Sequence, residues 1–252
     1  MINRWFLSVC YNSEEHIKET IKSVLNQTYA NIQYIVVDGD STDDTLKIVK
    51  NYEPKFNDRM IWISESDDGI YQAMNKGIRW SEGSFLFFLN SGDYFAGDQI
   101  IEEMISLAQQ GSADFIYGDV MLNEKPPERQ RQKVVTKYQL LFRTICHQSI
   151  LAHRSCFRDR DFDENLNWLS DYKWILQCFW DSDIKYLWMD KPVVFFDPVN
   201  RTGLSDRTLK CERLEERKKI GTSLFSFPVN LLFGLNQIRL KAKFRCWGDF
   251  EG

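Results

Sequence analysis

The first hundred residues alternate between strand and helix patterns, and this alternation constrains the fold more than any other feature. Phe6 to Val9 is a short apolar run, and Ile17, Ile21, Val24 and Leu25 then follow at helical spacing. Ile32 to Val37 is nearly continuous and rich in β-branched residues, as in a strand covered on both faces. Ser41-Thr42-Asp43-Asp44 reads as a helix start ahead of Leu46, Ile48 and Val49. Met60 to Ile63 is a third strand, Ile70 to Trp80 a third helix and Phe85 to Leu89 a fourth strand. Alternation at this pace predicts an α/β fold with a doubly wound, mainly parallel sheet.

The rest is less regular. Phe115 to Val120 and Ile150 to Ala152 read as strands, and Ser170 to Trp180 as a helix. Glu124 to Arg131 contains Pro126-Pro127 and several charges, so a loop is expected. Tyr186 to Trp188 and Val193 to Phe196 read as two short strands. From Asp206 the pattern is helical, breaks near Pro228 and resumes. A main domain over 1–205 and a helical appendage over 206–252 are therefore expected.

Composition removes several classes of function. With 43% hydrophobic and 27% charged residues, the 252-residue chain is ordinary globular material. A formal net charge of -4 offers nucleic acid no general attraction. The six cysteines form no C-x-x-C pair, and reduced core thiols in a cytoplasmic protein are expected. The first strand begins so early that no signal peptide is expected, and no apolar stretch nears the ~20 residues of a membrane-spanning helix. No G-x-G-x-x-G follows the first strand and no G-x-x-x-x-G-K-[ST] occurs, so a phosphate-binding glycine loop is not expected. Near the C-terminus, Leu231, Leu235, Ile238 and Ala242 form a helical stripe flanked by Arg239, Lys241, Lys243 and Arg245. Such a helix either makes a peripheral membrane contact or docks on its own domain.

Unusual polar residues gather where the strands should end. Cys10-Tyr11-Asn12, Asp38-Gly39-Asp40, Glu65-Ser66-Asp67-Asp68-Gly69 and Asn90-Ser91-Gly92-Asp93 each follow a strand. Ligands of open α/β sheets bind beyond the carboxyl ends of strands. Crowded carboxylates there need a cation or a donor-rich ligand, and a divalent metal with a nucleoside diphosphate meets that need.

Val36-Val37-Asp38-Gly39-Asp40-Ser41-Thr42-Asp43, Ser64 through Gly77 (SESDDGIYQAMNKG) and Phe88-Leu89-Asn90-Ser91-Gly92-Asp93 resemble motifs of family 2 inverting glycosyltransferases. The resemblance runs from about residue 5 to 205 and is strongest to bacterial members that build capsule, exopolysaccharide and O-antigen. It implies the GT-A fold over 1–205, a UDP-sugar donor, Mn2+ or Mg2+ as cofactor, and a saccharide acceptor, including a lipid-linked one. The implied location is cytoplasmic, with the inner face of the cell membrane as a possible station. A sugar nucleotidyltransferase and a non-catalytic saccharide- or nucleotide-binding protein are the rival readings.

The same resemblance assigns residues. Asp38 matches the aspartate that accepts the imide N–H of uracil, a role that Asp40 could share. Tyr11, Asp67, Asn75 and Asn90 complete the expected nucleotide contacts. Asn90 stands where the family's D-x-D motif has its first acid, which leaves Asp93 as the principal metal ligand. His147, in His147-Gln148-Ser149, either binds the acceptor or a phosphate, or is structural. Arg201 is expected to meet the diphosphate. Asp171, in Ser170-Asp171-Tyr172, matches the family's general base. Trp174, Ile175, Cys178 and Phe179 lie three, four, seven and eight residues further on, which puts Asp171 on the inward face at a helix N-terminus. The helix dipole keeps such a carboxylate ionised, as a base requires.

Overall fold

The computed structural model describes residues 4–123, 126–134, 136–196 and 206–225. In order, the chain forms β1 (Arg4–Cys10), α1 (Ile17–Leu25), β2 (Ile32–Asp38), α2 (Thr45–Tyr52), β3 (Met60–Ser64), α3 (Ile70–Trp80), β4 (Phe85–Phe88), β5 (Tyr94–Phe95) and α4 (Ile100–Gly111). Then come β6 (Phe115–Leu122), β7 (Glu128–Gln130), β8 (Ile150–His153), α5 (Ser170–Trp180), β9 (Tyr186–Phe196) and α6 (Asp206–Leu224). The strands form one sheet in the order β3-β2-β1-β4-β8-β6-β9-β5, with β7 paired to β6.

The expected parallel sheet occupies one side, where β3, β2, β1 and β4 all run the same way. Beyond β4 the antiparallel β8 intervenes, and β6 and β9 then pair in parallel. Cys10 lies opposite Asp38, and Asp38 opposite Ser64, so the ends of β1, β2 and β3 are level. The loops that follow therefore open along one edge.

Period-two alternation divides the core. Trp5, Leu7 and Val9 of β1 belong with Ile35, Val37, Met74 and Ile78 and with Trp174, Ile175 and Phe179 of α5. Phe6 and Cys10 belong to the opposite layer with Ile21 and Val24 of α1 and Met104 and Ile105 of α4. Every one of these side chains is buried, and burying a Leu, Ile, Val or Phe contributes about 1.5–3 kcal/mol. Gly77 lets α3 sit directly on β1: a Cβ there would lie 1.8 Å from Leu7 Cδ1.

Three expectations change. The sequence reading assigns nothing to 100–111, where Ile100, Ile101, Met104, Ile105 and Ala108 form the buried stripe of α4. The stretch expected as a loop from Glu124 to Arg131 contains β7, which pairs Glu128–Gln130 with β6. The two strands expected after Tyr186 are one, β9, whose register shifts opposite Gly118 and Asp119. The break near Pro228 and the stripe from Leu231 to Arg245 lie outside the described residues.

Candidate functional site

The loops after β1 and β2 are laced together by short side chains. Asn12 N donates to Ser41 Oγ at 2.9 Å, and Asn12 Oδ1 accepts from Thr42 N at 2.9 Å. Ser13 N donates to Thr45 Oγ1 and Asp44 N to Glu14. Asn12 and Asp40 adopt left-handed backbone, with φ of 44° and 65°, which Asn and Asp tolerate better than most residues.

Tyr11 and Asp67 approach each other over Gly39, and the gap between them is called the slot. A Cβ at Gly39 would lie 2.8 Å from Asp67 Oδ2 and 3.5 Å from Tyr11 Cδ2, so only glycine leaves the space open. The Tyr11 ring is 63% exposed and forms one wall. Asp67 forms the other. Partial burial holds its carboxyl above the usual range, the charges of Asp38 and Asp68 add to this, and the Gly69 N–H and Lys76 oppose it. Lys76 bonds Ser66 O at 2.7 Å and pairs with Glu65 at 3.2 Å, which anchors the loop that carries Asp67.

Asp38 sits beneath the slot. Its side chain is fully buried, and both oxygens are taken: Ser41 Oγ donates to Oδ1, while Ser41 N and Ser64 Oγ donate to Oδ2 at 3.1 and 2.7 Å. It fixes the turn after β2. Asp40 is exposed at the rim. Asn75 is 2% exposed, and its amide brackets the chain at Phe162 and Glu164 with three bonds of 2.8–2.9 Å.

The second half of the site gathers four distant segments. Asp171, at the first turn of α5, accepts from Tyr71 Oη at 3.0 Å and Tyr172 N at 2.8 Å on Oδ1. Its Oδ2 lies 2.7 Å from His147 Nδ1. His147 Nε2 lies 3.1 Å from Asn90 Nδ2. An amide NH2 only donates, so Nε2 must accept, and the imidazole is assigned as the Nδ1–H tautomer donating to Asp171. Burial alone would raise the Asp171 carboxyl. The hydrogen bond from His147, the Tyr172 N–H and the Tyr71 hydroxyl reverse this and hold it below its ordinary value of 3.8. Side-chain exposure of 16% leaves Asp171 reachable from one side.

Asp93 lies beside this second half. It is 5% exposed, and its charge, after burial, is the next cause raising the Cys146 thiol, so the 146–149 segment lies beside it. Asn90 Oδ1 is buried without a hydrogen-bond partner. The described residues contain no cluster of three or more His, Cys, Asp and Glu arranged to hold a metal. One buried carboxylate and one orphaned amide oxygen still suit Mg2+ or Mn2+, which take few protein ligands and complete their shells with water and phosphate oxygens. Arg201 lies outside the described residues.

Sequence reasoning passed over two contributors. Tyr71 lies within a quoted motif but received no role. Gln132 is 6% exposed, and its amide bonds Cys146 N, Gly118 O and Ser149 Oγ, which pins the segment carrying His147. A lone glutamine carries no signal of this in sequence. Among the described residues, Cys10, Cys146, Cys156 and Cys178 form no disulfide.

Known proteins resemble this chain in sequence and in fold. The chain is 28% identical over 198 residues to a PGL/p-HBAD biosynthesis glycosyltransferase of Mycobacterium bovis, covering 77% of this chain and 76% of that protein. It is 35% identical over 114 residues to an uncharacterized glycosyltransferase of Mycobacterium tuberculosis, covering 44% and 42%. Staphylococcus aureus TarS 1–349 in complex with UDP-GlcNAc superposes with a TM-score of 0.73 at 17% identity, covering 94% of this chain and 70% of that one. The chain spans only 41% of a longer TarS structure. The mannosyltransferase PcManGT of Pyrobaculum calidifontis, in complex with GDP-Man and Mn2+, gives 0.65 at 13% identity, with 88% and 64% covered. These structural likenesses establish the fold, a GT-A arrangement. The model of glycosyl transferase family 2 matches residues 6–165, more than half of the chain. The chain belongs to glycosyl transferase family 2.

Proposed function

We propose that this glycosyltransferase moves a sugar from a UDP-sugar to a hydroxyl of a saccharide acceptor, with inversion, in the assembly of a bacterial surface polysaccharide. The observation that carries the reading is Asp171: an ionised carboxylate, held by three donors and open on one side, within a pocket that also contains His147 and Asn90.

The uracil ring enters the slot between Tyr11 and Asp67. Asp67 accepts the imide N–H, and Asp40 at the rim is the second candidate acceptor. Uracil presents a donor at that edge, whereas cytosine presents an acceptor, so a carboxylate favours UDP. TarS crystallised with UDP and with UDP-GlcNAc supports the same donor class. Asp93 and Asn90 Oδ1 are the groups that would hold Mg2+ or Mn2+, which offsets negative charge on the departing diphosphate. PcManGT in complex with Mn2+ supports the metal.

Asp171 Oδ2 takes the proton of the acceptor hydroxyl as that oxygen attacks the anomeric carbon. An α-linked donor then gives a β-linkage. His147 stays bonded to Oδ2 and stabilises the anion before transfer. The acceptor enters from the open side of Asp171, and a lipid-linked saccharide reaching a cytoplasmic enzyme at the membrane surface fits this role. Among the described residues no helix is long and apolar enough to cross a membrane.

A panel of nucleotide sugars tests the reading, with UDP release scored with Mn2+ and in excess EDTA. Turnover of a UDP-sugar that needs the metal is the expected result. Full activity in EDTA would remove the metal from the scheme, and preference for a GDP- or CDP-sugar would remove the uracil assignment.

A further inference from the structure

The helix beyond the main domain reaches the start of α5. Glu216 of α6 is buried at 7% exposure, and its carboxylate accepts three consecutive backbone N–H groups. Oε1 takes Asn167 N at 2.6 Å, and Oε2 takes Trp168 N at 3.0 Å and Leu169 N at 2.9 Å. Leu169 is the N-cap residue of α5, no side chain of its own segment caps that helix, and Asp171 follows two positions later. These three N–H groups lie in the approach to α5, just ahead of its first turn, and their acceptor is supplied from nearly fifty residues downstream.

The neighbouring contacts act on the same turn. Arg217 donates to Leu140 O at 3.4 Å, Leu141 O at 3.2 Å and Tyr172 Oη at 2.9 Å, with its guanidinium 4.4 Å above the Tyr172 ring. Glu212 accepts from Trp168 Nε1 at 2.7 Å. Positions 212 and 216, as i and i+4, share one face of α6, and Arg217 projects from the adjoining face. Together they grip residues 140–141, 167–169 and Tyr172 around the Asp171 turn.

We infer that Glu216 is a positioning residue for transfer: it fixes the start of α5 so that Asp171 Oδ2 meets both His147 and the incoming hydroxyl. The inference rests on the reading of Asp171 as the base. Without Glu216, three N–H groups must seek water, the 167–169 turn rises from α6, and Asp171 leaves the 2.7 Å contact with His147. A displacement of about 1 Å at a reacting group can cost on the order of a hundredfold in rate.

The test uses the full chain with Glu216→Ala and Glu216→Gln. Three quantities are measured: kcat for UDP release from the UDP-sugar that the parent protein turns over, the calorimetric Kd for UDP, and the imidazole 15N resonances of His147. The chain has three histidines, so those resonances can be assigned. Glu216→Ala should lower kcat at least about tenfold, leave the UDP Kd within about twofold and shift the His147 resonances. Glu216→Gln keeps one acceptor oxygen and should fall between parent and Ala variant. If Glu216→Ala does not fold, Glu216→Gln decides on the same criteria. Unchanged kcat with unchanged His147 resonances overturns the inference, and so does a parallel loss of kcat and UDP affinity, which signals general loosening. Asp171→Asn separates the two readings. If that variant keeps its turnover, the base assignment falls, while shifted His147 resonances in Glu216→Ala still support the positioning.

Discussion

The slot beside Gly39 and the pocket around Asp171 are built by different means. The slot is made of loops that follow adjacent parallel strands, and its contacts join residues about thirty positions apart. Short side chains and left-handed turns are enough to hold it. The pocket joins Tyr71, Asn90, His147 and Asp171 across separations of up to 100 positions. The two also set their carboxylates in opposite directions. Asp67, partly buried near Asp38 and Asp68, is raised, whereas Asp171, ringed by donors, is lowered. An edge with surplus negative charge suits a ligand that brings N–H groups or a cation. A pocket that keeps one carboxylate ionised suits a ligand that brings a proton to be removed.

The largest expected effect divides the two regions cleanly. Asp171→Asn keeps the shape of the pocket but cannot accept a proton, so kcat should fall by about 10²–10⁴ while the Kd for UDP holds. Retention of more than about a tenth of the parent rate would mean that the pocket does not supply the base. Asp67→Ala should do the reverse. Loss of a hydrogen bond to a charged group costs about 1.5–3 kcal/mol, roughly ten- to a hundredfold in UDP affinity, with kcat at saturating donor little changed. Calorimetry with UDP decides this, and an unchanged Kd would transfer the imide contact to Asp40.

Asp38→Ala probes the scaffold beneath the slot. It strands the Ser41 and Ser64 donors, and denaturant unfolding should show a loss of about 1–3 kcal/mol, as for other buried partners removed from one side. A large drop in UDP affinity at parental stability would restore Asp38 as a direct contact. The smallest effect is one of pH. As pH falls, Asp67, held above 3.8, should protonate before Asp171, held below 3.8. UDP affinity should therefore weaken at a higher pH than kcat at saturating donor does. The stability that the ionised Asp171 contributes is present above the unfolded-state pKa and lost only as pH falls through the lower folded value. The opposite order of the two acid limbs would reverse the contrast drawn above.

This contrast also explains what could be read in advance. β1, β2, β3, α3 and α5 are legible because burial imposes period two or 3.6 on one short segment at a time. The slot residues Tyr11 and Asp67 are legible because they follow strands immediately. Asp38 follows a strand too, but whether it points at a ligand or at Ser41 and Ser64 depends on tertiary placement. Asn75 is ambiguous for the same reason, since a buried asparagine looks the same whether it binds a ligand or the chain at Phe162. His147 is ambiguous until Asn90 and Asp171 are seen on either side of it. Gln132 and Glu216 act through backbone groups of distant segments, and a backbone N–H leaves no mark in an amino-acid sequence.

The seat of Gly77 on Leu7 has a mechanical consequence. α3 carries Tyr71 at one point and Lys76 at another, so one rigid rod touches both Asp171 and the loop that holds Asp67. With no side chain at 77, the rod is clamped to β1 like a ruler against a bench. An added methyl group would have to displace Leu7 or lift the rod. Lifting it changes the spacing between Asp171 and Asp67 without altering either residue. In-line displacement, the chemistry proposed for this site, tolerates little error in such a spacing. The distance between the two halves of the proposed site is thus gauged at a contact deep in the apolar core.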